Sequence, residues 1–316
     1  MSTLITGAAG FVGKHLIRLL QSEGQQNIVA LALNEQEADL LREYNIDVFI
    51  GDILCIDDLK SVISRVKPEQ IFHMAAQSSV ELSWVDPMKT ADINIKGTIN
   101  LLECVRALSL KTRIMLIGSG DEYGTVSAQD MPINENTRLA PTNIYAVTKV
   151  CQNMLGNVYA NAYHMDLVMT RAFNHIGPGQ SSKFVVSDFC KQLVEIEKGL
   201  AEPVIRVGNT AVKRDFTDVR DVVKAYYFIM NRGVTGETYN IASGQPVSIQ
   251  DILDIIISQS KVKILVELDK KRFRPTDTAV VDTDSSKLRK LTGWKNEISL
   301  EQSIKDTISY WEKYLL

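Results

Sequence analysis

Thr3-Leu4-Ile5-Thr6-Gly7-Ala8-Ala9-Gly10-Phe11-Val12-Gly13 starts as a short β-prone run and passes into three glycines spaced G-x-x-G-x-x-G. Phe11 to Leu20 then reads as a helix. Each glycine meets a need if a phosphate lies over the turn. Gly7 permits a tight exit from the strand, Gly10 lets backbone approach a pyrophosphate, and Gly13 lets the helix pack closely on the sheet. The helix N-terminus adds free N–H groups and partial positive charge. Glycine spacing alone also fits a plain turn; the strand–turn–helix context makes it a dinucleotide site.

Working outward, β-prone runs and helical segments alternate. After the first strand come 28–33, 48–50, 70–76, 113–117 and 167–171, with helices predicted over 57–66, 91–108 and 144–163. The predicted fold class is α/β, a Rossmann-type doubly wound parallel sheet with a smaller, discontinuous α/β substrate-binding lobe. Ligands belong at the carboxyl ends of such strands. Residues 1–174 and 214–243 are expected to form the nucleotide-binding domain, with Thr238-Tyr-Asn-Ile-Ala242 returning to it as a strand. Residues 175–213 and 244–316 form the second lobe, in which Ser248 is expected to cap a helix.

The 316 residues carry 35 basic and 38 acidic side chains, a formal net charge of −3, which gives no basic stripe for nucleic acid. Four cysteines (Cys55, Cys104, Cys151, Cys190) lie far apart without a C-x-x-C pair, and four histidines lack metal-ligand spacing. No apolar run reaches the length of a membrane span, and the chain enters its first strand too soon for a signal peptide. A soluble, cytoplasmic protein without metal is expected. The 144–163 segment has one charged residue, Lys149, and 91–108 has a similar apolar surplus. Two such helices are buried either within one chain or against a second copy.

Tyr145-Ala-Val-Thr-Lys149 puts a phenol and an ammonium four residues apart, on one helix face. A tyrosine normally ionises near pH ~10, and a neighbouring cation lowers that value. Alone, the pair also fits an ordinary amphipathic helix. Ser119, in Ile117-Gly118-Ser119-Gly120-Asp121-Glu122-Tyr123-Gly124, ends the fifth strand, where its hydroxyl can hydrogen-bond a substrate carbonyl and Tyr145.

The TGAAGFVG turn and the Ser119, Tyr145, Lys149 set resemble the extended, nucleotide-sugar branch of the short-chain dehydrogenases/reductases. So do Ala75-Ala-Gln-Ser-Ser79-Val80, Asp92-Ile-Asn94-Ile-Lys-Gly97-Thr98, Arg171-Ala-Phe-Asn174-His-Ile-Gly-Pro-Gly-Gln180, Arg214-Asp-Phe-Thr-Asp218-Val and Arg274-Pro-Thr-Asp277. Within that branch the chain is most similar to GDP-mannose 4,6-dehydratases and GDP-4-keto-6-deoxy-mannose reductases.

The resemblance implies NADP or NAD as cofactor, held by Gly7, Gly10, Phe11, Val12, Gly13, Asn34, Asp52, Ile53, Ala75, Ala76, Gln77, Asn94, Tyr145 and Lys149. It implies a GDP-sugar held by Ser79, Ser119, Asp121, Glu122, Asn174, Lys183, Arg214, Arg274 and Asp277, and a homodimer through helices 91–108 and 144–163. Asp52 also fits a strand-end turn, and the arginines also fit surface pairs with Asp215, Asp218 or Asp277. At the end of the second strand, neutral Asn34 stands where an NAD site usually has an acid, with no arginine beside it; weak discrimination between the cofactors follows.

A 4,6-dehydratase needs a base for C5 and an acid for C6 beside its tyrosine. In the resembled dehydratases a threonine opens the motif and a glutamate lies two residues before the Tyr-Gly tyrosine; the dTDP-glucose type adds an aspartate before that glutamate. Here these positions hold Ser119, Asp121 and Gly120, while Glu122 is expected to point elsewhere. The fucose-forming relatives imply a Cys/His pair, and Gly120 stands where that cysteine is expected. The resemblance therefore implies a C4-ketone reductase, with a dehydratase or epimerase, or a silent NAD(P)-binding regulator, as the alternatives.

Overall fold

The computed structural model describes residues 1–269 and 281–315, so Arg274 and Asp277 lie outside the described residues. Its strands, in chain order, are β1 (Ser2–Thr6), β2 (Asn27–Ala32), β3 (Asp47–Ile50), β4 (Gln70–His73), β5 (Arg113–Ser119) and β6 (Leu167–Ala172). They continue as β7 (Asn174–Ile176), β8 (Val204–Val207), β9 (Lys213–Asp218), β10 (Thr238–Ile241), β11 (Pro246–Ser248) and β12 (Leu265–Leu268).

Seven strands form one parallel sheet in the order β10-β6-β5-β4-β1-β2-β3. Alternate residues of the inner strands enter opposite layers, which is why these strands read as continuous apolar runs. Ile5, Phe72, Met115 and Val168 pack against helices Phe11–Ser22 and Val219–Arg232. Leu4, Ile71, Ile114, Leu116 and Leu167 pack against helices Ile56–Val66, Gly97–Ala107 and Ile144–Tyr163. Each wholly buried leucine or isoleucine contributes about 1.5–3 kcal/mol. The order reverses at β1, between β2 and β4, and a crevice opens over their carboxyl ends.

The helix predicted over 91–108 differs from the structure. Pro87–Ala91, a π-helical turn over Asp92–Lys96 and Gly97–Ala107 follow one another. Pro87 starts the first piece behind an Asp86 cap, and the wide turn brings Asn94 inward.

Helices Val185–Glu197, Ile249–Ser258 and Leu300–Tyr314 share a second core. Ser248 caps the middle one in a reciprocal pair with Asp251, at 2.9 and 3.0 Å. Trp311 Nε1 donates to Ser187 Oγ across the outer two. A small sheet, β11-β9-β7, lies beside this core. Three contacts lock the two parts together at the crevice. His15 Nε2 meets the Pro178 carbonyl at 2.8 Å, Phe11 stacks on His175, and buried Asp215 accepts from Ser243 N, Gly244 N and Thr283 Oγ1.

Candidate active site

The glycine turn lies at the base of the crevice. Gly7 has a φ of +70°, and a Cβ there would come within 2.7 Å of Ala75 N. A Cβ on Gly13 would come within 2.3 Å of the Ala8 carbonyl oxygen. Gly10 caps the Phe11–Ser22 helix without any side-chain hydrogen bond, leaving the first N–H groups for a ligand. With half-buried Phe11 and Val12 beside it, this cradle fits a dinucleotide pyrophosphate. Ala75, Ala76 and Gln77 follow β4 along the same crevice.

At the end of β2, the Asn34 side chain caps a short helix by accepting from Glu37 N at 3.0 Å. Glu37 Oε2 accepts in return from Leu33 N at 2.9 Å. A carboxylate therefore stands at the strand end after all, supplied three residues later. The Asn-x-x-Glu spacing was its signal. Asp52 Oδ1 accepts from Leu54 N, as a turn residue does, and Ile53 is packed beneath Gly97.

Asn94 is buried beside the expected cofactor residue Gln77, accepting from Gln77 N and donating to the Gln77 carbonyl and Thr148 Oγ1.

Ser119 closes β5, while Tyr145 and Lys149 come from the first turns of the Ile144–Tyr163 helix, which Asn143 caps. Burial raises the Tyr145 pKa above its ordinary value, Asp121 raises it further, and the Ser119 side chain beside the phenol opposes them. The expected lowering by Lys149 is thus reversed in the chain by itself. Lys149 Nζ donates to the Ile117 carbonyl and to Gln152 Oε1, both at 2.8 Å, and lies 6.0 Å from the Tyr145 ring centroid. Burial pushes this ammonium down to about 8, against the attraction of Glu122. Two of its three N–H donors are used within the chain, and the third fits a ribose hydroxyl.

The turn after Ser119 is tight. Asp121 N donates to Ser119 Oγ, and the Asp121 side chain is half-buried beside Tyr145. A Cβ on Gly120 would come within 2.6 Å of the Phe173 ring.

Glu122 corrects the expectation of a substrate contact and points elsewhere, as was also expected. It is wholly buried and turned away from the crevice, with Oε1 accepting from Ser119 N at 2.9 Å and Oε2 from Arg171 Nε at 2.8 Å. Burial raises its pKa to about 7 against the opposing pull of Arg171. Arg171 was quoted in a motif but given no role. As the one charge in the apolar run of β6, it was the available signal.

On the substrate side, Ser79 caps the helix Val80–Val85. Asn174 is exposed on β7, Lys183 is exposed in the loop that follows, and Arg214 is half-buried on β9. Asp215 is engaged by Ser243, Gly244 and Thr283, and Asp218 by Arg220 at 2.8 Å.

Comparison with known proteins gives the same picture. The family model described as GDP-mannose 4,6 dehydratase matches residues 4–307. The GDP-6-deoxy-D-mannose reductase of Pseudomonas aeruginosa is 33% identical over 308 residues, spanning 98% of this chain and 96% of that one. A GDP-mannose 4,6-dehydratase of Vibrio cholerae is 26% identical over 347 residues, spanning 97% and 92%. The solved structure of RMD from Pseudomonas aeruginosa complexed with NADPH superposes with a TM-score of 0.88 at 31% identity, covering 99% and 100% of the two chains.

Proposed function

We propose the function of this chain from one premise: it belongs to the GDP-mannose 4,6-dehydratase family. Within that family it is an NAD(P)-dependent oxidoreductase. In our reading it reduces the C4 ketone of GDP-4-keto-6-deoxy-D-mannose to GDP-D-rhamnose. The observation that carries the reading is the turn Ser119-Gly120-Asp121. It sets a hydroxyl beside Tyr145, but the Phe173 ring fills the space a side chain at residue 120 would need. A ketone reduction requires only a proton donor and a hydrogen-bonded carbonyl, whereas elimination across C5 and C6 requires a further base and acid.

The bound dinucleotide would supply the hydride to C4. Ser119 Oγ orients the carbonyl oxygen, and the Tyr145 phenol gives that oxygen its proton. A tyrosine with a raised pKa remains protonated at neutral pH, as a proton donor must. Lys149 holds the ribose and restores charge balance as the phenolate forms. Asn174, Lys183 and Arg214 are assigned to the diphosphate on chemical grounds, since ammonium and guanidinium groups suit phosphate oxygens.

Residues 1–174 and 214–243 carry the cofactor in this scheme, and 175–213 and 244–316 carry the nucleotide sugar. We assign the chain to a cytoplasmic homodimer. Trp84, Val85 and Met88 stand exposed on two short helices that pack against the Ile144–Tyr163 helix, where Val147, Met154 and Val158 are also exposed, and such apolar groups suit a second copy. No helix among the described residues is long and apolar enough to cross a membrane.

The test mixes the protein with NADPH or NADH and follows reductant loss, once with GDP-mannose and once with its 4-keto product. Loss with the keto sugar alone is expected. A keto product formed from GDP-mannose without reductant would replace this reading with the dehydratase.

A further inference from the structure

The buried pair Glu122–Arg171 holds Ser119 and reaches the helix that carries Tyr145 and Lys149. Glu122 Oε1 holds Ser119 through its backbone N–H. Arg171 bonds Glu122 and Tyr123 Oη, and its NH2 reaches Asn153 Oδ1 at 3.4 Å. Asn153 lies on the helix that carries Tyr145 and Lys149, one turn beyond Lys149. Tyr123 Oη in turn donates to Asn240 on β10. The pocket for this carboxylate exists because residue 118 is glycine. A Cβ there would come within 2.3 Å of Glu122 Oε1.

We propose that Glu122, held by Arg171, is a positioning residue that fixes Ser119 and keeps Tyr145 and Lys149 in their protonated forms. The inference deepens, and rests on, the reductase reading. A buried negative charge behind a proton donor disfavours loss of the donor's proton, which keeps the donor loaded at alkaline pH at a cost in acidity. Glu122 raises the Tyr145 pKa and also that of Lys149.

Other groups face this cluster among the described residues: Glu135 acts on Tyr123, and its carbonyl accepts from Arg171 at 3.4 Å. Asp121 acts on Tyr145 from the same turn, and Tyr226 faces it from the Val219–Arg232 helix. His73 faces Lys149 from β4 and is neutral, because burial lowers its pKa to about 3. Arg171 is the cation on Glu122 from β6, with Lys149 acting from the helix.

The test is the pH profile of kcat for NADPH oxidation with the keto sugar, in wild type, Glu122→Gln and Glu122→Asp. In Glu122→Gln the alkaline limb moves down by about one pH unit, whether Tyr145 or Lys149 sets it, since both lose the same stabilising charge. Glu122→Asp keeps the charge beside Arg171 but draws back from Ser119 N. Its kcat falls about tenfold or more with the limb in place. NADPH affinity, read by fluorescence titration without sugar, stays within about twofold in both.

An unmoved limb in Glu122→Gln overturns the proposal, however far kcat falls. If that variant does not fold, Glu122→Gln with Arg171→Gln leaves no unmatched buried charge, and the limb must still move down. Wild type inactive on the keto sugar but binding NADPH would be the failure of the reductase reading instead. The same titrations would then be read on the dehydratase rate.

Discussion

Gly120→Ala puts a single methyl where the turn after Ser119 meets Phe173. The added Cβ would lie 2.6 Å from Phe173 Cδ1 and 2.9 Å from both Cε1 and Cγ. Ordinary carbon contacts are about 3.5–4.0 Å, so the ring or the turn must move by close to 1 Å. The ring is not free to swing. It is buried, stacked on Tyr123 at 6.0 Å and 11°, and packed with Val126, Ile133 and Ala242. Gly120 has no positive φ, so backbone strain plays no part. Overpacking of this kind costs about 1–3 kcal/mol, which for a chain of this size is a fall in Tm of roughly 1.5–4.5 °C. The assay is thermal unfolding followed by kcat with the keto sugar, which should fall because Ser119 moves with the turn. A Tm within about 1 °C of wild type with unchanged kcat would refute the space argument, and with it the account of why this turn lacks a side chain at residue 120.

Tyr145→Phe should lower kcat by about 10²–10⁴-fold while leaving NADPH binding intact by fluorescence titration, since it removes a proton donor and little volume. Activity should decline as pH rises through about 8, where buried Lys149 loses its proton. The sign follows from a lowered ammonium pKa, with the charged form complete only below it, and a Lys149→Met variant should lose that limb. Glu37→Gln should improve the kcat/KM for NADPH relative to NADH, because it removes the carboxylate held at the end of β2; the ratio for the two cofactors checks it. Trp84→Glu with Met154→Lys should give a monomer by light scattering if the exposed apolar face is the dimer contact.

Legibility followed range along the chain. The glycine turn, the Tyr145–Lys149 spacing and the alternation of strands and helices are local patterns, and the structure carries each of them. The burial of Asn94 depends on a π-helical turn, which no periodicity announces. The ion pair of Glu122 was not legible because its partner, Arg171, is 49 residues away on another strand. The acid at the β2 end was missed by looking for it in the strand, when it arrives from the next helical turn as Glu37. The lowering of the Tyr145 pKa was expected from Lys149 alone, without the burial that outweighs it. Short strands such as β7 and β11, three residues each, carry too little pattern to be seen before their pairing is known.

The central claim is that this site delivers a hydride to C4 and a proton to the C4 oxygen, and abstracts no proton from the ring. The direct measurement is proton NMR of the sugar after turnover in D2O with 4-deuterated NADPH, beside a control without protein. The account predicts deuterium at C4 of the product and none at C3 or C5 beyond the control. Enzyme-dependent deuterium at C5 would contradict it, because it would mean that Asp121 serves as a ring base.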